Sequence, residues 1–281
     1  MSHLPSQPPP LGQFQFSVVR ELGKGGLGTV DEVVVTATNC EYPVGLRLAR
    51  KRLHPTWAKN PTMTQRFERE IAALRGMNHP NILSFKGENL RGAAERFYLM
   101  PAYPRSARQY LDARESCGTH WGNVADFGAT VADALAYAHH AGHLHRDIKP
   151  ENLLLTEKNT PIIADWGLGY FIHQYSVVLV RLTVAGMGTE YYCSAEQWQT
   201  GKCEASGDIY SLGMTMAELV TGARERLVFP GEGLRRAVVT GTRGADYFAK
   251  VLENMTAMAP TARIQSMTRV AAELRAALKM G

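Results

Sequence analysis

The strongest constraint on this fold is a change of hydrophobic period near residue 103. Before it, apolar and polar residues alternate as along half-buried strands; after it, apolar residues recur every three or four positions, as along helices. "QFSVVREL" and "TVDEVVVTA" flank a glycine cluster, "LRLARKRL" follows, and "ILSFKGENL" and "RFYLM" complete the strand-like set. One helical interval interrupts them, "TMTQRFEREIAALRGM", with Phe67, Ile71 and Leu74 on one side. Helical patterning then dominates from about 105, most clearly over 121–141, 205–221, 244–257 and 266–278. A chain that switches period once predicts an α+β protein of two lobes, the first small and β-rich with one main helix, the second larger and mainly helical. The expected organisation is a flexible proline-rich tail over 1–12, a first lobe over 13–103 and a second over 104–281, with a cleft near Met100 to Pro104.

With 281 residues and 45% of them hydrophobic, the chain can bury a large core. Its 31 basic and 26 acidic residues alternate along the sequence, so the net charge of +5 forms no stripe and argues against a nucleic-acid partner. Cys40, Cys117, Cys193 and Cys203 make no close metal-ligand pair and are too few for a stapled secreted scaffold, which points to a reducing compartment. No apolar run approaches the roughly 20 residues that span a bilayer, and "MSHLPSQPPPLG" lacks the features of a signal peptide. The expectation is a cytoplasmic protein without an integral membrane segment.

Three stretches carry chemistry. In "ELGKGGLGTVDEV", Gly23, Gly25 and Gly28 keep a G-x-G-x-x-G spacing that allows close backbone approach to phosphates. A plain glycine hairpin has the same appearance. A dinucleotide site would need a helix after the third glycine, whereas "TVDEVVVTA" reads as strand. In "RLARKRL", alternation puts Ala49, Lys51 and Leu53 on one face. Glu70 lies beside the apolar stripe of the following helix, so an ion pair with Lys51 would account for burying both charges. Arg47 and Arg50 are rivals of Lys51 for a phosphate contact.

The third stretch is "HLHRDIKPENLLL", with "IIADWGLG" after it. Charged groups crowded against an apolar run must find partners or ligands. Asp147 suits the acceptance of a proton from an alcohol nucleophile, and Lys149 suits the stabilisation of a phosphoryl group in transfer. Asn152 and Asp165 offer the hard oxygens that Mg2+ takes, although Asp165 alone reads equally as a turn former.

Taken in order, these motifs resemble the eukaryotic-type Ser/Thr protein kinase family, including its bacterial members, over residues 14–275. Gly23, Gly25, Gly28 and Val30 resemble the glycine-rich loop, Ala49 and Lys51 the third strand, and "HRDIKPEN" the catalytic loop. "DWG" stands for the usual DFG, "GTEYYCSAEQ" resembles the segment that ends in Glu196 with Ala195 in place of proline, and Asp208 and Arg263 resemble the residues that brace the catalytic loop and pair with Glu196. Pro101 stands where the family commonly has an acidic residue.

The resemblance implies transfer of the ATP γ-phosphoryl group to Ser or Thr hydroxyls of protein substrates, with Mg2+ or Mn2+ as cofactor. It assigns Asp147, Lys149, Lys51, Glu70 and Thr189 to catalysis, and Asn152 and Asp165 to the metal. Nucleotide contacts fall to Leu22, Gly23, Gly25, Gly28, Val30, Ala49, Lys51, Met100, Pro101, Tyr103 and Leu154. It also implies Arg146 as a partner for a phosphate on Thr183 or Ser176, with Arg181 assisting, and the tail or the 165–196 loop as the place for a regulatory protein. Two alternatives remain open: a nucleotide-binding scaffold with little transfer, and a small-molecule phosphotransferase.

Overall fold

The computed structural model describes residues 14–25, 27–38, 42–89, 95–114, 118–166, 191–201, 204–222 and 241–281. The chain divides into two units, Met1–Tyr103 and Pro104–Gly281. The proline-rich tail lies outside the described residues.

In the first unit, β-branched residues alternating with polar ones build an antiparallel sheet of β1 (Phe14–Lys24), β2 (Gly28–Thr38), β3 (Arg47–Leu53), β4 (Gly87–Glu88) and β5 (Phe97–Pro101). The strand order is β1-β2-β3-β5-β4. One face carries a core of Val33, Val35, Tyr42, Leu48 and Leu99. The other receives helix α1 (Pro61–Gly76), which buries Phe67, Glu70, Ile71 and Leu74. Asn60 starts that helix by accepting the Met63 N–H at 3.2 Å, and Pro61 follows where no N–H is required. The rings of Phe67 and Tyr98 meet at 5.6 Å and dock helix on sheet.

Among the described residues of the strand-like stretch "ILSFKGENL", only Gly87–Glu88 is strand. Ile82 and Leu83 are both buried, so two neighbours point into the core and the alternation a ladder requires is lost. Ladder-type bonds begin at Lys86, whose N–H reaches Leu99 O at 2.8 Å.

The second unit contains a small sheet of β6 (Arg105–Ser106), β7 (Leu153–Leu155) and β8 (Pro161–Ile163). Its described helices are α2 (Ala107–Asp112), α3 (Trp121–His140), α4 (Ala195–Thr200), α5 (Ala205–Thr221), α6 (Arg243–Met255) and α7 (Met267–Leu278). Every residue of α5 from Gly207 to Val220 is buried, as expected for a helix enclosed on all sides. Its hydroxyls are satisfied along the helix: Ser211 donates to Gly207 O at 3.0 Å and Thr215 to Ser211 O at 2.8 Å. Helices α3, α6 and α7 pack on one another, and α3 and α6 also pack on α5.

Gly28 has a steric reason that needs no ligand. A Cβ there would lie 2.0 Å from Arg52 O on the neighbouring strand, whereas one at Gly23 would meet nothing within 4 Å. Gly28→Ala should therefore destabilise the N-terminal unit by about 1–3 kcal/mol. Gly23→Ala should stay within about 0.5 kcal/mol of the parent. Urea denaturation of the two variants checks both values.

Candidate active site

Lys51 on β3 lies opposite Val30 on β2 and Tyr98 on β5, and Ala49 lies opposite Met100. With Gly23 opposite Val30, the ladder brings Gly23, Val30, Ala49, Lys51 and Met100 to one sheet face. Helix α1 meets that face at Lys51, whose Nζ reaches Glu70 Oε1 at 2.7 Å. Glu70 is fully buried, and its Oε1 also accepts the Tyr98 hydroxyl at 2.9 Å. Arg47 is engaged by Glu32 at 2.7 Å, and Arg50 by Asp31 at 2.7 Å with the rings of Phe16 and Phe97 beside it. Lys51 is thus the cation of this strand that meets Glu70 of α1.

In the second unit, "HRDIKPEN" leads from the end of α3 to β7. Asp147 Oδ2 meets Lys149 Nζ at 2.9 Å and accepts from Asn152 Nδ2 at 2.8 Å, while the same Nδ2 reaches Asp147 O at 2.8 Å. With its amide hydrogens directed to Asp147, Asn152 has its Oδ1 left as an acceptor. Asp147 Oδ1 is buried and has no hydrogen-bond partner among the described residues. Burial pushes the Asp147 carboxyl up, the Asp165 charge adds to the rise, and Lys149 and His145 oppose it.

The loop is held by a carboxylate from α5. Asp208, fully buried, accepts the backbone N–H of His145 at 2.9 Å and of Arg146 at 2.6 Å, and meets His139 Nε2 at 2.8 Å. Burial alone would raise its carboxyl, but the bond and charge of His139, with those of His145, hold it below the usual carboxylate value. The His145 ring receives the Asp147 N–H on Nδ1 at 3.3 Å, bonds Ala164 O through Nε2 at 2.9 Å and meets the Trp166 ring at 4.7 Å. It therefore ties the loop carrying Asp147 to the segment carrying Asp165. Arg146 and Asp165 have φ of 66° and 62°, a left-handed backbone costing each roughly 1–2 kcal/mol, which these bonds oppose.

A second buried network fastens the following segment. Arg108 on α2 bonds Glu151 at 2.9 Å, Glu218 on α5 at 2.8 and 2.9 Å, and the Tyr192 hydroxyl at 2.8 Å; Tyr192 also donates to Glu218. Glu196 is gripped by Arg263 through both oxygens, at 2.5 and 2.9 Å, which holds its carboxyl down against the effect of burial. Burial pushes the Cys193 thiol up to about 12, aided by the charges of Asp147 and Glu196.

Of the residues read from the sequence, Asp147, Lys149, Asn152 and Asp165 come together in one unit, and Lys51 and Glu70 in the other. Thr189, Thr183, Ser176 and Arg181 lie outside the described residues. The fasteners His139, Tyr98, Arg108 and Glu218 escape sequence reasoning. Their periodicity marks them only as helix or strand positions, and nothing local tells which buried polar group each will meet.

A family model for the protein kinase domain matches residues 16–270, and the chain belongs to the protein kinase family. It is 32% identical over 226 residues to the serine/threonine-protein kinase Pkn1 of Myxococcus xanthus, covering 80% of this chain and 31% of that protein. It is 26% identical over 223 residues to the serine/threonine-protein kinase PrkC of Bacillus subtilis, covering 78% of this chain and 32% of that protein. Among solved structures it is similar to the kinase domain of Mycobacterium tuberculosis PknI, with a TM-score of 0.69 and 26% identity over 98% of this chain and 100% of that one. The chain spans 31–32% of the length of these curated relatives. Among the described residues no helix is long and apolar enough to cross a membrane.

Replacing Asp208 by Ala strands two buried N–H groups and should cost about 3–5 kcal/mol at neutral pH. Because the carboxyl is held low, its contribution is complete above the unfolded-state pKa of about 3.9 and is lost as pH falls through the lower folded value. The gap between parent and Asp208→Ala, read from urea unfolding, should accordingly shrink as the pH is taken below about 4.

Proposed function

We propose that this chain transfers the γ-phosphoryl group of ATP to Ser or Thr hydroxyls of protein substrates. The observation that carries the reading is the state of Asp147. One carboxylate oxygen is fixed by Lys149 and Asn152, and the other is buried with no partner among the described residues. Such an oxygen is oriented to accept a hydroxyl hydrogen, and a carboxyl raised by burial is a better proton acceptor than an exposed one.

The other groups divide the remaining tasks. Lys51, held straight by Glu70, would bind the α- and β-phosphates, and Lys149 would balance charge on the group in transfer. Leu22, Gly23, Gly25, Gly28, Val30, Ala49, Met100, Pro101, Tyr103 and Leu154 would contact the nucleotide, with Pro101 offering its carbonyl and Tyr103 its N–H. Asn152 Oδ1 and the Asp165 carboxylate are two hard oxygen donors, the number Mg2+ usually takes from protein when phosphate and water complete its shell. Two protein donors suit an ion that arrives with the nucleotide phosphates and keeps part of its water. When bound, Mg2+ would neutralise charge on the phosphate oxygens. The Ser/Thr assignment is supported by Lys149 beside the base and by the names of the relatives.

The test is incubation with Mg-ATP and a generic protein substrate, followed by intact-mass measurement and phosphosite mapping. Asp147→Asn should lower transfer by at least about 100-fold with nucleotide affinity retained, whereas Asp165→Ala should weaken Mg2+-dependent nucleotide binding. Transfer at the parent rate by a well-folded Asp147→Asn variant would remove the proposed role. Binding of nucleotide with no transfer by the parent would favour the scaffold reading.

A further inference from the structure

Helix α1 is fastened to its sheet at more than the Lys51–Glu70 contact. Arg96, immediately before β5, is only 6% exposed, and its guanidinium uses both edges. Nε and Nη2 bond the two carboxylate oxygens of Glu68 on α1 at 2.5 and 3.0 Å. Nη2 also reaches Glu88 on β4, and Nη1 bonds Asn89 O at 2.5 Å and Asn89 Oδ1 at 3.0 Å. Asn89 Oδ1 in turn accepts the Phe97 N–H at 3.0 Å, so the arginine is itself fixed to the β4–β5 edge. At the far end of the helix, Arg75 pairs with Glu88.

Geometry gives this clamp a consequence for Glu70. Residues two apart on a helix project roughly 200° apart around its axis. The sheet therefore grips α1 from two sides, by Arg96 on Glu68 and by Lys51 and Tyr98 on Glu70. A roll of the helix that carried Glu70 away from Lys51 would have to break the two-bond Arg96–Glu68 fork, whose planar geometry tolerates little rotation. We propose that Arg96 is a positioning residue that fixes the rotation of α1 and so keeps Glu70 on Lys51. The proposal rests on the phosphoryl-transfer reading for its kinetic consequence, but not for its structural one.

Three measurements on the full chain test it. Arg96→Met should speed amide hydrogen exchange within residues 61–76 by about tenfold or more, with β2 and β3 unchanged. It should also lower kcat by about fivefold or more while the protein-substrate KM stays within about twofold. In a Glu70→Gln background the same substitution should cost less than about twofold in kcat, because the group it acts through is already gone. Arg96→Lys, which keeps the charge and loses the fork, should fall between parent and Arg96→Met. Arg20→Met, which removes an outlying pair with Glu32, should leave exchange in the helix and kcat unchanged.

If Arg96→Met does not fold, Glu68→Gln, which leaves the bonds of Arg96 to Glu88 and Asn89, is read by the same criteria. The proposal is overturned if helix exchange and kcat both stay within about twofold of the parent. It is equally overturned if the kinetic loss is as large with Glu70→Gln as without it. Should the parent transfer no phosphoryl group at all, the functional reading fails alone, and hydrogen exchange by itself decides whether Arg96 holds the helix.

Discussion

The buried carboxylate of Asp208 is the interaction on which the second unit's chemistry depends. A charge with no exposed surface persists only where donors surround it, and here these are two consecutive backbone N–H groups and a histidine ring. Those N–H groups belong to His145 and Arg146, so meeting the needs of Asp208 shapes the turn that presents Asp147. Helix α5, enclosed over nearly its whole length, gives the carboxylate a fixed origin. The left-handed backbone at Arg146 persists because its own N–H is one of the donors.

The same principle recurs with different partners. Glu218, ten residues further along α5, anchors Arg108 and through it Glu151 and Tyr192. Glu196 is anchored by Arg263, which also bonds Ala257 O at 2.7 Å and has its guanidinium over the Tyr210 ring. Each removes a charge from water and recovers the cost through several bonds of fixed direction. In the first unit, Glu70 and Arg96 do likewise between a helix and a sheet. The loop of Asp147 and the side chain of Lys51 are thereby held by neighbours distant in sequence.

Trp166 shows how a departure from the family pattern is absorbed. The larger ring is buried and packs edge-on against His145, while Asp165 before it keeps its left-handed backbone. The extra bulk is accommodated by packing, and the indole N–H has no acceptor among the described residues.

The sequence by itself determined the α+β division and most of the strands and helices. Alternation along β3 placed Lys51 beside Ala49 on the inward face, and motif order singled out Asp147, Asn152 and Asp165. These were legible because period and spacing are local properties of a chain. It misjudged "ILSFKGENL", where the core took Ile82 and Leu83 together, and it gave no sign that the strand beside Gly28 leaves no room for a side chain there. Tertiary structure alone decided that Glu68 would meet Arg96, Asp208 would meet His139, and Arg108 would meet Glu218. Each pair joins positions 28, 69 and 110 residues apart, and a hydrogen bond depends on the separation of atoms in space, which the order of residues does not contain.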